Sequence, residues 1–403
     1  MSLVLLLCSA GEAVPRVWAE PHASTADAQA EWEGLYAKAQ ACYERERYAE
    51  GVTAADAALA LAEEQFGSVH EQTAASLHQR GLLYAAQGQF EQAKALYQRA
   101  LTIDEKTLGQ SHPHVAKILD SLAQVYHAQG QDDEALSLYH RAKRLTEDAL
   151  GRRHPDVATS LYHMAVTFHA QDFYAEAASL YEQAIEIWSE SIGLAHRDGA
   201  GALAGLGRLY AIQHRFTEAE PLLRRALSTR EQLFGLIHPA VAQSMEDLAT
   251  LYEKRGQYSE AASWSKRALD VREPLLGRDN PALVGALSGL AELYLRQHQY
   301  TVAESLYRRG LAIREHALGP DHQDVIASLE ALIVLYGAQG QLDKEEPLYV
   351  RAASVAEKTL GLRHPTTIAL LERYEYLLRD LGKMEQAKAV GQKIGQIRSG
   401  RIR

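Results

Sequence analysis

Apolar residues recur along this chain with the spacing of helices packed on one side, and they recur in pairs. Between residues 238 and 254, Val241, Met245, Leu248, Ala249 and Tyr252 keep an i, i+3, i+4, i+7 spacing, which predicts a helix from Pro239 to Lys254. Tyr258, Ala261, Ala262, Ala268 and Leu269 repeat the pattern and predict a second helix after a polar turn. The same two blocks, helix A and helix B, follow one another through most of the chain. Their joint is marked by Gly67, Gly109, Gly151, Gly193, Gly235, Gly277, Gly319 and Gly361, each 42 residues after the last. Three residues after each glycine stands His70, His112, His154, His196, His238, His322 or His364, with Asn280 the exception. Strict self-similarity at a fixed period is the signature of a stacked repeat array.

The punctuation has a physical reading. Pro113, Pro155, Pro239 and Pro365 follow the histidine, and Pro281 follows Asn280. Proline suits the first helical position, where its missing N–H loses no partner. The joint glycine sits just past helix B, where a left-handed residue closes a helix. The turn between helices A and B carries Gly88, Gly130, Gly256, Gly340 and Gly382, or else Asp172, His214 and His298, which predicts one left-handed backbone site in all of them.

Counted from the histidine as zero, position +23 is Ala93, Ala135, Ala177, Ala219, Ala261, Ala303 and Ala387, with Glu345 the exception. Position +14 is tyrosine (Tyr84, Tyr126, Tyr210, Tyr252, Tyr294, Tyr336) or Phe168. Small against large at fixed offsets reads as interlocking core. The expected organisation is a leader over 1–27, a degenerate first repeat over 28–69, seven 42-residue units over 70–363, and a C-terminal repeat with a capping helix and basic tail over 364–403.

The segments Leu248-Ala249-x-x-Tyr252 and Gly256-x-Tyr258, with Ala261 and Ala268, resemble the tetratricopeptide repeat. The 42-residue period and the Leu-Gly-x-x-His-Pro joint are similar to the kinesin-light-chain subtype. The resemblance implies an all-α fold, a right-handed superhelical solenoid of antiparallel helix pairs, whose concave groove is lined by helix A and holds a protein or peptide partner. Kinesin-light-chain repeats carry an asparagine pair in helix A. Here the matching pairs include His78-Gln79, Tyr162-His163 and Glu246-Asp247, and Asn280 is the chain's only asparagine, so motor-cargo recognition does not carry over.

Positions near +5, +8, +12 and +15 of helix A share one face. That face offers His78, Leu82, Gln124, His127, Tyr162, Val166, His169 and Arg208, then Glu246, Thr250, Glu253, Ser288, Glu292, Glu330 and Val334. The expected groove passes from histidine- and tyrosine-rich to acidic. The acidic part favours a partner segment of basic character.

The net charge of −10 offers no nucleic-acid footprint beyond a basic cluster at the C-terminal end, read as a solvated last helix. The run Leu3–Leu7 followed by Val17-Trp18-Ala19 resembles a secretory signal peptide, which predicts an exported protein, periplasmic or secreted. The alternative is a cytoplasmic chain with a frayed start, since no Lys or Arg precedes the run. Two cysteines, Cys8 and Cys42, make no disulfide framework, and no later run of 18 apolar residues predicts a membrane span. Column histidines start different repeats, too far apart to share a metal. No phosphate loop, dinucleotide fingerprint or nucleophile elbow appears. The expectation is a noncatalytic interaction scaffold without cofactor or metal. Two alternatives stand beside it: a self-assembling structural solenoid, with the final helix around Ile394 and Ile397 as cap or interface, and a sensor or regulatory subunit of a larger system.

Overall fold

The computed structural model describes residues 25–401. The expected leader lies outside the described residues up to position 24, Cys8 included; the first helix opens at Thr25, within the span assigned to the leader. The described residues form 18 α-helices and no strand, in antiparallel pairs. They divide into two compact units, the first ending at Asp156 and the second running Val157–Arg403.

The first unit holds α1 (Thr25–Glu44) and α2 (Tyr48–Gln65), α3 (Glu71–Ala86) and α4 (Phe90–Thr107), and α5 (Pro113–Ala128) and α6 (Asp132–Leu150). Its core interleaves Leu59, Leu77, Tyr97, Ile103, Ile118 and Leu122 from successive helices. The degenerate first pair is tied to the next by Trp32, whose indole N–H donates to Ser76 Oγ at 2.8 Å.

The second unit takes most of α7 (Pro155–Ala170), then α8 (Tyr174–Glu190), α9 (Arg197–Ile212), α10 (Phe216–Phe234), α11 (Pro239–Lys254) and α12 (Tyr258–Leu276). A 3₁₀ turn, Pro281–Leu283, leads into α13 (Val284–Arg296). There follow α14 (Tyr300–Leu318), α15 (Val325–Ala338), α16 (Leu342–Thr359), α17 (Pro365–Asp380) and α18 (Met384–Arg398). The helix expected over Pro239–Lys254 is observed with those bounds.

The histidine column caps helices. His238 Nδ1 accepts the Ala240 N–H at 3.1 Å, and His112, His154, His322 and His364 do the same two residues on. Asn280 accepts the Ala282 N–H at 2.9 Å through its side-chain oxygen, so the one break in the column keeps the cap. His70 makes no such bond.

The turn between helices is left-handed where expected: Asp172, His214 and His298 have φ of 63°, 60° and 58°, and Gly256 has 78°. The joint glycine differs from expectation. Gly235 has φ 79° and ψ 177°, and Gly319 has φ 91° and ψ 155°. This is not the left-handed helical conformation but an extended one with positive φ, which is essentially restricted to glycine. The chain must leave helix B and reach the histidine cap within three residues, and the extended step spans that gap.

The tyrosines at +14 are packed into the stack, and in three units their hydroxyls reach the preceding helix B. Tyr252 donates to Glu220 at 2.7 Å and accepts from Arg224 at 2.7 Å. Tyr336 repeats this with Glu304 and Arg308, and Tyr210 donates to Glu182.

Candidate partner-binding cleft

Position +27 in helix B is Tyr97, Tyr139, Tyr181, Leu223, Ser265, Tyr307, Tyr349 and Gly391. The five tyrosines and Leu223 are buried, and Tyr97 and Tyr181 each fill the space between their own helix A and the next one. The fit is close. A Cβ on Gly81, at +11 of the same unit, would lie 2.4 Å from the Tyr97 ring, and one on Gly205, at +9 of the next unit, 2.5 Å from the Tyr181 ring. Ser265 occupies this position on α12 and is too short to fill the space. A cleft of about 400 Å³ opens there, lined by Glu246, Ala249, Thr250 and Glu253 of α11, Ser265 and Arg272 of α12, and Ala286, Gly289, Leu290 and Leu293 of α13. A Cβ built on Gly289 meets nothing within 4 Å.

The polar groups of the cleft are arranged by the same register. In two other units the arginine at +34 reaches the serine at +6 of the next helix A: Arg230 to Ser244 at 2.7 Å and Arg314 to Ser328 at 2.6 Å. Residue 286 is alanine. Arg272 therefore turns to Glu246, with Nη2 donating to Oε2 at 2.7 Å and Nε 2.7 Å from Oε1. Thr250 and Glu253 are exposed at the mouth, and Glu253 has no ion-pair partner among the described residues. The cleft thus combines a neutralised pair on its wall, a free carboxylate at its mouth, two hydroxyls and an apolar side supplied by Ala249, Leu290 and Leu293.

Of the residues expected on the groove face, Glu246, Thr250 and Glu253 come together in this cleft. The expected acidic character is corrected elsewhere, because arginines outside the chosen positions meet the carboxylates. Glu292 pairs with Arg296 at 3.0 Å and Glu330 with Arg373 at 3.1 Å. Ser288 is half-buried, and Val334 is 60% exposed on α15.

The histidine and tyrosine positions are largely packed. In the first unit His78 is buried, a correction to its place on an open face. Its Nε2 lies 2.9 Å from Ser121 Oγ, and its ring packs against Tyr97 and His114. Burial, reinforced by the charges of His114 and Lys117, pushes its pKa down to about 3. Leu82 packs against the core, Gln124 donates to Asp120 at 3.2 Å, and His127 Nδ1 lies 2.7 Å from Asp132. In the second unit Tyr162 packs against Tyr181 and Trp188, and burial with the nearby Asp198 charge pushes its phenol up to about 12. His169 stands edge-on to Tyr174 and Tyr181, and burial and Arg208 lower its pKa. Val166 packs against the core, and Arg208 donates to Asp247 at 3.1 Å.

Reasoning from one face of helix A missed Ser265 and Arg272 on α12, and Gly289, which stands beside that face on α13. The signal was present in helix B: with the repeats aligned on the histidine, Ser265 breaks a tyrosine column at +27. Among the described residues no cluster of three His, Cys, Asp or Glu side chains can hold a metal, and no helix is long and apolar enough to cross a membrane.

A family model described as tetratricopeptide repeat matches residues 33–106, 114–190, 199–273 and 283–352, and a second model of that description matches 78–149. No curated protein matches the chain. Among solved structures, BtubC (BKLC) from P. vanneervenii is similar at 23% identity, over 61% of this chain and 92% of that one, with a TM-score of 0.46. Nearly identical TPR-like repeats of a putative kinesin light chain from Podosopora anserina match at 25% identity, over 52% and 99%, with a TM-score of 0.42. A Rap protein complexed with competence and sporulation factor matches at 15% identity, over 93% and 98%, with a TM-score of 0.49.

Proposed function

The chain belongs to the tetratricopeptide repeat family, and we propose that it is a noncatalytic scaffold that holds a basic partner segment against helix A at the α11–α13 cleft. The observation that carries this reading is the cleft itself: it gathers Glu246, Thr250 and Glu253, and Glu253 stands at its mouth without an ion-pair partner. A free carboxylate beside an opening speeds the encounter with a cationic segment and fixes its register, more than it adds raw affinity. The chain's net charge of −10 works in the same direction at longer range.

Selection of a random displayed peptide library on the full chain tests this. The expected result is enrichment of sequences with Lys or Arg at a fixed position, whose binding weakens with salt and is reduced about three- to tenfold by Glu253→Gln. Sequences bound equally by the wild type and Glu253→Gln would move the site elsewhere. A chain that selects nothing, and whose mass by light scattering rises with concentration, would replace this reading with self-assembly.

A further inference from the structure

We infer that the α11–α13 cleft is a vacated tyrosine slot of the array and that it takes a tyrosine side chain from the bound partner segment. The inference rests on the scaffold reading and adds the identity of the anchor.

Register along the repeats identifies the slot. Tyr97 and Tyr181 at +27 are buried in one setting, between positions +8 to +15 of their own helix A and +9 of the next. Tyr97 packs against His78 at +8 and Gly81 at +11, and its hydroxyl is hydrogen-bonded to Ser121 at +9 of the next unit. Tyr181 packs against Tyr162 at +8, His169 at +15 and Gly205 at +9 of the next unit. The cleft is walled by those same positions: Glu246 at +8, Ala249 at +11, Glu253 at +15 and Gly289 at +9 of the next unit. It therefore has the place and walls of a tyrosine site with the side chain removed at Ser265, and the helices have not closed over it.

The lining also suits a phenol. The Ala249, Leu290 and Leu293 side chains offer an apolar wall to a ring, while Thr250, Ser265 and the Arg272–Glu246 pair offer donors and acceptors to a hydroxyl. An aromatic side chain brings a large contact area at small entropy loss, and a tyrosine hydroxyl finds a partner when buried. An adjacent Lys or Arg on the same segment lies within reach of Glu253.

The test has two readouts on the full chain. Saturation-transfer NMR with p-cresol, the tyrosine side-chain analogue, is expected to show binding to the wild type and to Ser265→Ala, and a loss of about tenfold or more in Ser265→Tyr, where the array's own residue fills the slot. Ser265→Leu, which copies Leu223, serves if the tyrosine variant does not fold. Equal p-cresol binding in the filled variants, or none in the wild type, overturns the inference. In the peptide selection, tyrosine at a fixed distance from the basic residue, lost in Ser265→Tyr while the basic preference remains, supports it. Basic peptides with no fixed aromatic residue, or with phenylalanine as readily as tyrosine, overturn the tyrosine anchor and leave the scaffold reading standing. Failure to select any peptide overturns the scaffold reading, and the inference with it.

Discussion

Two glycines that look alike in the repeat should respond differently to the same substitution. Gly235 closes α10 and Gly256 closes α11, and both have positive φ, 79° and 78°. A Cβ added at either meets nothing within 4 Å, so no clash separates them. Conformation does. At the position of Gly256, other units carry Asp172, His214 and His298 at φ near 60°, and Glu46 has φ 58° in the first pair. An L-residue is therefore accommodated there, and aspartate is among the least strained in that region. Gly235 has ψ 177°, in a region that side chains other than hydrogen scarcely enter, with strain of roughly 1–3 kcal/mol. Replacing glycine also reduces the entropy of the unfolded chain, which returns about 0.4–1 kcal/mol at both sites. Each site follows a helix C-terminus, so the dipole penalty on a new carboxylate cancels in the comparison. Gly256→Asp should leave stability within about 0.5 kcal/mol of wild type, and Gly235→Asp should lose roughly 1–2 kcal/mol. In a stacked array the loss is local, so urea unfolding by far-UV circular dichroism is best paired with hydrogen exchange across residues 225–245, where protection should fall only in Gly235→Asp. Equal losses for the two variants, or a harmless Gly235→Asp, would refute the claim that ψ at the joint is what demands glycine.

Two further outcomes follow from the packing. The folded pKa of His78, about 3, lies below the unfolded value near 6.5, so the unfolded chain takes the proton first. Its contribution is complete above the unfolded value and is lost as pH falls, amounting to about 2 kcal/mol between pH 7 and 5 in the first unit; an unfolding midpoint with the same acid slope in His78→Gln would exclude this histidine as the cause. Gly205→Ala should destabilise by roughly 1–2 kcal/mol, because its Cβ would lie 2.5 Å from the Tyr181 ring, whereas Gly289→Ala, with open space at the same register, should stabilise α13 by up to about 1 kcal/mol; thermal melting of the pair checks both.

Much of the fold was legible because each element carried its own signal. The 3.6-residue spacing of Val241, Met245, Leu248 and Tyr252, bounded by Pro239, marked α11 to the residue. The histidine column marked where each helix A begins, and His238 and Asn280 both cap the helices they begin. The joint glycine was recognised but its conformation was not, because sequence shows that φ must be positive and says nothing of ψ. The site was legible only in part. Spacing along helix A shows which residues share a face but not which partners other helices send to it, so Glu292 and Glu330 looked free and are paired with Arg296 and Arg373. Burial was misjudged for the same reason at His78, where the enclosing side chains come from α4 and α5.

The cleft follows from a property peculiar to repeat architecture. In a compact domain with one core, replacing a buried tyrosine by serine leaves a cavity that many surrounding elements share, and the loss of stability falls on the whole fold. In a stack each helix pair touches only its neighbours. The flanking contacts are intact: Tyr252 is held to Glu220 and Arg224 on one side, and Tyr336 to Glu304 and Arg308 on the other. The loss at Ser265 is thereby confined to one interface, which keeps the distance set by its neighbours. A single shortened side chain then converts a packing position into an open recess whose walls were shaped for a ring. Gly391 shows the same shortening at +27 of the last pair, and a cleft of about 610 Å³ lies beside it on α17 and α18. A Cβ on Gly391 would lie 2.8 Å from Glu375 Oε1, so a carboxylate already reaches that position, whereas the cleft beside Ser265 is walled by the positions that hold a tyrosine elsewhere in the array. Of the two shortened positions, Ser265 is the one whose slot remains ready for a ring supplied from outside the chain.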